Sequence, residues 1–216
     1  MRTTIQLLEF EKALWKSGIG RLAGVDEAGR GALAGPLVAA AVTCCSLKEI
    51  RHLIRDDRCC IIRDSKTLSL RQRLEARELI AGHFESVGIG IVSSDEIDCF
   101  GISAANRIAM ERATAALLDP PEFLLIDALT IDDRTSQWGI IDGDAQSLLI
   151  SAASIVAKVE RDTIMEQLGE HYNAYTFSQH RGYGTAQHLN ELDRSGPCAI
   201  HRMSFEPVRA RVGCIN

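Results

Sequence analysis

No C-x-x-C spacing occurs among the seven cysteines, although Cys44–Cys45 and Cys59–Cys60 are adjacent pairs. An odd count without ligand spacing excludes the common zinc frameworks and a complete disulfide scaffold. Reduced thiols in a cytoplasmic protein are the expectation. No long hydrophobic run is present either. The stretch 33–42, LAGPLVAAAV, is too short to span a bilayer and contains Gly35 and Pro36. The opening MRTTIQLLEFEKALW sets Glu9, Glu11 and Lys12 among its apolar positions, so it is not expected to be a signal peptide. An excess of basic residues is missing as well: the net charge is −5, which argues against general, charge-driven nucleic-acid binding. The segment from His180 to Asn216 reverses the sign, with five arginines against three acids. No repeat, low-complexity tract or Ser/Pro-rich linker divides the chain. One domain over 1–216 is expected, with 172–216 as a C-terminal helical cap.

What is present reads as strands first and then helices alternating with strands. Residues 3–17 predict an amphipathic helix ended by the turn SGIG. Leu22–Asp26 and Leu37–Thr43 predict short apolar strands, too closely linked for a helical crossover and therefore antiparallel neighbours. Ser69-x-x-Gln72 has the form of a capping box, with Leu70, Leu74, Ile80 and Phe84 on the following helix face. Val87, Ile89 and Ile91 alternate with small residues, as in a strand pressed against another backbone. A second helix is expected over 102–118, strands over Glu122–Asp127 and Trp138–Asp142, and a long small-residue helix over about 147–169. This order predicts an α/β domain with a mixed sheet.

Three acids share one description. Asp26 and Asp127 end apolar strands, and Asp144 follows a third strand just before a helix. Taken singly, each also reads as a turn or N-cap residue, Asp144 in GDAQS most of all. Ligands of α/β sheets gather outside the carboxyl ends of strands, so convergence would carry the meaning. Two carboxylates about 5 Å apart repel by roughly 3 kcal/mol at an effective dielectric near 20. Asp26, Glu27, Asp127 and Asp144 together would therefore take up protons or bind hard cations, Mg²⁺ or Mn²⁺. Because neighbours on a strand face opposite ways, Asp26 and Glu27 share a site only if the strand bends at Ala28–Gly29 or Glu27 offers its carbonyl.

The loop Gly29-Arg30-Gly31 is no dinucleotide fingerprint, since Ala34 stands where the third glycine belongs, and no G-K-[ST] follows to make a P-loop. Bare backbone beside acids suits close approach of a sugar–phosphate chain and sensing of a 2′-hydroxyl. A plain hairpin loop is the simpler alternative. In HRGYGT (180–185) Tyr183 stands between two glycines, as a stacking ring or as a turn anchor. Lys66 in DSK and Lys158 in SAASIVAKVERD are candidate phosphate contacts.

These blocks, GVDEAGRGALAGP, DSKTLS, LLIDA, GDAQS with SAASIVAKVERD, HRGYGT and HRMSFEPV, run in order from about residue 22 to 208. In that order the chain closely resembles ribonuclease HII, the bacterial type 2 ribonuclease H. The resemblance implies a ribonuclease H-like fold, with a mixed central sheet flanked by helices and a C-terminal helical extension. It implies a two-ion Mg²⁺ or Mn²⁺ endoribonuclease, cutting the RNA strand of RNA–DNA hybrids and 5′ to single ribonucleotides in duplex DNA, leaving 3′-hydroxyl and 5′-phosphate ends. It places the catalytic, metal-binding acids at Asp26, Glu27, Asp127 and Asp144, and substrate contacts at Gly29, Arg30, Gly31, Tyr183, Lys66 and Lys158. Ala32 and Ala128 depart from the proline and glycine frequent there, and Ala128 bears on the loop beyond Asp127. Arg30 and the short N-terminal segment fit type 2 better than type 3 enzymes. No sliding-clamp-binding motif is evident in PVRARVGCIN, and a monomer is expected. The rival readings are a type 3 ribonuclease H, a structure-specific DNA nuclease on the same fold, and a non-catalytic nucleic-acid-binding module.

Overall fold

Leu37–Cys44, LVAAAVTC, is buried at every position, which only a central strand covered on both faces can satisfy. A computed structural model of the chain describes residues 6–55, 61–62 and 67–212. The strands are β1 (Leu22–Ala28), β2 (Leu37–Cys44), β3 (Ser86–Val92), β4 (Phe123–Asp127) and β5 (Ser136–Ile140), in the order β3-β2-β1-β4-β5. β2 is antiparallel to β1 and β3, as the short β1–β2 link required. β4 is parallel to β1 and to β5. The sheet is therefore mixed, and β1 at its centre has neighbours of both senses.

Helices cover both faces. On one, α3 (Leu70–His83) and the long α6 (Leu148–His171) bury Ala76, Ile80, Ile155 and Val156 against Leu22, Val42 and Leu125. On the other, α5 (Ile102–Ala115) packs Ala105, Ala109 and Met110 on Val25, Leu37 and Ile126. α6 presses so tightly on β1 that a Cβ at Gly24 would lie 2.1 Å from the Leu149 carbonyl carbon. The same closeness explains the glycines of β3, since a Cβ at Gly90 would meet the Ala109 oxygen at 1.9 Å.

Several boundaries differ from expectation. α1 is Glu9–Lys16, preceded by a 3-10 turn at Gln6–Leu8, and residues 3–5 lie outside the described residues. Ser69 and Gln72 do form a reciprocal capping box. Leu70 and Leu74, however, stay half-exposed, because Ala76, Leu79 and Ile80 form the stripe that meets the core. α4 (Ser94–Phe100) was not expected, although Ser93 and Glu96 make a second capping box at its start. α5 ends at Ala115, short of 118, and β5 stops at Ile140, before Asp142 turns left-handed at φ 51°. A short α2 (Arg51–Arg55) follows β2.

Beyond α6 come α7 (Phe177–His180), α8 (Ala186–Ser195) and α9 (Glu206–Arg209). They bury Phe177, Leu192 and Val208 with Met165, Leu33 and Ala34 in a third apolar cluster. Within it, residues 32–36 are clasped from two sides. Ala32 bridges Tyr183, Ala34 bridges His201, and the Gly35 amide donates to the Ile200 carbonyl. No described helix is long and apolar enough to cross a membrane, and Cys44, Cys45, Cys99 and Cys198 are free thiols.

Candidate active site

The last register pair of β1 and β4 is Val25 with Ile126, so the next residues, Asp26 and Asp127, stand side by side at the carboxyl ends of adjacent parallel strands. Alternation turns both toward α6, the face that also takes Leu22, Ala28 and Leu125. Glu27 turns the other way, toward Asn106 of α5. β1 ends at Ala28, the backbone turns at Gly29 with φ +94°, and a cleft of about 250 Å³ at the strand end is lined by both neighbours. Asp26, Glu27, Ala28, Gly29, Arg30, Gly31, Asp127, Ser154, Lys158 and Tyr183 line it.

Burial and crowding set the electrostatics. Burial first, then the charges of Glu27 and Asp127, hold the Asp26 carboxyl well above the usual range, against a hydrogen bond from Ser154. Burial and Asp127 likewise raise Glu27, while Arg30 and the Asn106 amide oppose them. The Glu27 amide donates to Asp26 Oδ1 at 2.7 Å, which fixes that carboxylate's near oxygen. An all-oxygen donor set that resists ionisation when empty suits a hard divalent cation. Among the described residues no three Asp, Glu, His or Cys side chains already stand in ligand geometry around one point. The acids are gathered rather than closed into a cage.

Asp144 is not among the residues that line the cleft. It is buried in the 3-10 turn Gly143–Ala145, next to Gly143, whose amide donates to Asp127 Oδ1 at 2.7 Å. The turn is anchored from an unforeseen direction. Glu11 of α1, fully buried, accepts from the Ser147 hydroxyl at 2.6 Å and the Leu149 amide at 3.1 Å, capping α6 just after Asp144. Burial raises the Glu11 carboxyl against those two bonds.

Two buried arginines shape the glycine loop. Arg161 of α6 donates to the carbonyls of Pro36 and Ala34 at 3.0 and 3.2 Å. Arg202 donates to Arg30, Gly35 and Pro36 at 3.0 to 3.2 Å. Neither forms an ion pair with a carboxylate among the described residues, and burial pushes the Arg202 guanidinium down to about 9 and Arg161 below its ordinary value. Gly29 has φ +94°, and a Cβ there would fall 1.9 Å from Arg161 Nε, so both conformation and space require glycine. A Cβ at Gly31 would meet nothing within 4 Å. The Tyr183 ring lies 5.1 Å from the Arg161 guanidinium and 5.4 Å from Lys158 Nζ, and Lys158 is paired with Asp162 at 2.7 Å.

The structure thus brings Asp26, Glu27, Asp127, Gly29, Arg30, Gly31, Lys158 and Tyr183 to one cleft and leaves Asp144 at its margin. Lys66 lies outside the described residues. Sequence reasoning passed over Ser154, Asn106, Arg161, Arg202 and Glu11. Only Asn106 carried a local signal, a polar residue on the apolar face of α5.

The ribonuclease HII family model matches residues 23–208. Ribonuclease HII of Bacillus pumilus (strain SAFR-032) is 43% identical over 206 residues, covering 95% of this chain and 77% of that protein. The crystal structure of ribonuclease H2 from Pyrococcus horikoshii OT3 superposes with a TM-score of 0.72 at 24% identity, covering 88% of this chain and 96% of that one. Bst-RNase HIII, solved in complex with Mn²⁺, gives a TM-score of 0.64 at 17% identity, over 94% of this chain and 73% of that one. At these identities the two structures speak for the fold.

Proposed function

The chain belongs to the ribonuclease HII family of metal-dependent endoribonucleases, and we propose that it cuts the RNA strand of RNA–DNA hybrids and the 5′ side of a lone ribonucleotide in duplex DNA. Asp26, Glu27, Asp127 and Asp144 would hold two divalent ions, Mg²⁺ or Mn²⁺. When bound, such ions supply Lewis acidity that activates a water and neutralises charge at the leaving oxygen. The products carry 3′-hydroxyl and 5′-phosphate ends.

The chain's own groups do the selecting. Gly29 and Gly31 let a ribose come within hydrogen-bonding distance of main chain, and the empty space beyond Gly31 is where a 2′-hydroxyl fits. Exposed Arg30 and half-buried Lys158, which is paired with Asp162, stand at the cleft for phosphates, and Lys66 is assigned the same role from its motif. Tyr183 offers its ring to the sugar at the RNA-to-DNA junction. Ser154 holds Asp26 in orientation.

One observation carries this reading: two acids from adjacent parallel strand ends share a cleft with a bare-backbone loop and a tyrosine. Duplex DNA with a single ribose, incubated with and without Mg²⁺ and resolved to the nucleotide, tests it. One cut, 5′ to the ribose and only with metal, is expected. Equal cleavage of the all-DNA duplex would assign a structure-specific DNA nuclease instead.

A further inference from the structure

Tyr183 owes its place to more than its flanking glycines. Two histidine rings grip the main chain around it. His180 Nδ1 accepts the Gly182 amide at 3.2 Å, and His188 Nδ1 lies 3.0 Å from the Tyr183 carbonyl oxygen. A carbonyl oxygen can only accept, so His188 carries its proton on Nδ1 and presents a lone pair at Nε2. That lone pair faces His201 Nε2 at 3.0 Å, so His201 must be the donor there. His201 Nδ1 is then an acceptor, and the Cys198 amide, an obligate donor, reaches it at 3.0 Å. The Cys198 thiol converges on the same nitrogen at 3.1 Å, with the Cys198 carbonyl farther off at 3.3 Å. On the other branch, His180 Nε2 donates to Glu191 at 2.9 Å.

Each ring nitrogen thus has a partner, and its proton follows from chemistry alone. The rings of His180 and His188 stack at 4.2 Å, and His188 and His201 are fully shut from solvent. The His188–His201 contact needs both rings uncharged, because a second proton on the facing Nε2 pair would set two donors against each other. Burial supplies that condition, lowering His188 and taking His201 to about 4.

We propose that His188, locked in the Nδ1–H form by His201, is a positioning residue that sets Tyr183 in the cleft and thereby the preference for the RNA-to-DNA junction. The proposal rests on the reading of Tyr183 as a junction contact. A ring serving only as core filling would not depend on which nitrogen bears the proton.

Two measurements on the full chain test it. Imidazole nitrogen NMR of isotope-labelled protein reads the tautomer directly: His188 is expected as Nδ1–H and His201 as Nε2–H, and the reverse assignment for His188 overturns the proposal. Cleavage of duplexes with a defined junction is then compared between His188→Asn, whose amide N–H falls near Nδ1, and His188→Gln, whose amide reaches toward Nε2. Loss of one backbone hydrogen bond predicts that His188→Gln loses junction preference about tenfold while His188→Asn stays within about twofold of wild type. Equal preference in the two variants, at matched melting temperature, overturns the proposal. Should Tyr183→Ala cut with the wild-type pattern, the reading of Tyr183 fails and the proposal with it, whereas the NMR result still judges the histidine chain on its own.

Discussion

The Gly143 amide donates to Asp127 Oδ1, tying the turn before α6 to the carboxyl end of β4. One carboxylate of the acid cluster therefore has a structural bond on one oxygen and a place in the cleft. Asp127→Asn keeps the acceptor at Oδ1 and removes only the charge. The variant should fold with wild-type stability and still bind hybrid, while the cleavage rate falls to below about a tenth of wild type. Thermal melting, hybrid binding in EDTA and single-turnover cleavage together check this. A rate above that fraction would take Asp127 out of metal binding.

The two loop glycines should separate cleanly. Gly29→Ala forces a Cβ against Arg161 Nε in a left-handed conformation and should cost about 3 kcal/mol or more, visible as a large drop in denaturation midpoint. Gly31→Ala meets open space, so its stability should stay within about 0.5 kcal/mol of wild type. The methyl instead occupies room assigned to the ribose, and ribonucleotide cleavage should fall at unchanged stability. Unaltered cleavage by Gly31→Ala would remove that loop position from substrate contact.

Ala128 adopts φ 60° directly after Asp127. A left-handed alanine costs roughly 1–2 kcal/mol, partly offset in glycine by the freedom of the unfolded chain. Ala128→Gly should therefore stabilise the protein by about 0.5–1 kcal/mol, read from urea denaturation. The Ala128 amide bond to the Ile140 carbonyl is open to either residue, so the loop should keep its course.

Acid sensitivity should trace to the C-terminal histidines. Burial, then the neighbouring His188, hold His201 at about 4, against 6.5 in an open chain. A folded value below the unfolded one means that unfolding takes up a proton below pH 6.5. The contribution is full above that pH and is lost as pH falls toward 4, on the order of 3 kcal/mol in all. His188, Cys198, Tyr175 and Phe177 surround the ring, with His180 beyond His188 and Glu191 beyond His180. Glu191 itself is raised by burial but drawn down further, to about 2, by Thr176 and His180. His201→Gln, which retains a donor toward His188, should flatten the fall in stability between pH 6.5 and 4. An identical profile in the variant would place the acid sensitivity elsewhere.

Local chemistry was legible from the residues, and long-range chemistry was not. The capping box at Ser69, the antiparallel β1–β2 pair and the acids at strand ends all follow from short stretches whose partners are near in sequence. Ile80 and Phe84 of the expected α3 face are buried, whereas Leu70 and Leu74 are exposed, since a leucine looks apolar whichever way the helix turns. Glu11, Arg161 and Arg202 act on residues more than a hundred positions away, and nothing in their own neighbourhoods distinguishes them from solvated charges.

Arg202 takes hold of the Arg30 carbonyl across 172 positions of chain. On a polypeptide emerging from the ribosome in order, the first acids and the glycine loop are made long before the guanidinium that gives the loop its form. A nascent chain therefore carries the loop before its brace, and the loop can take its final form only when synthesis has passed residue 202.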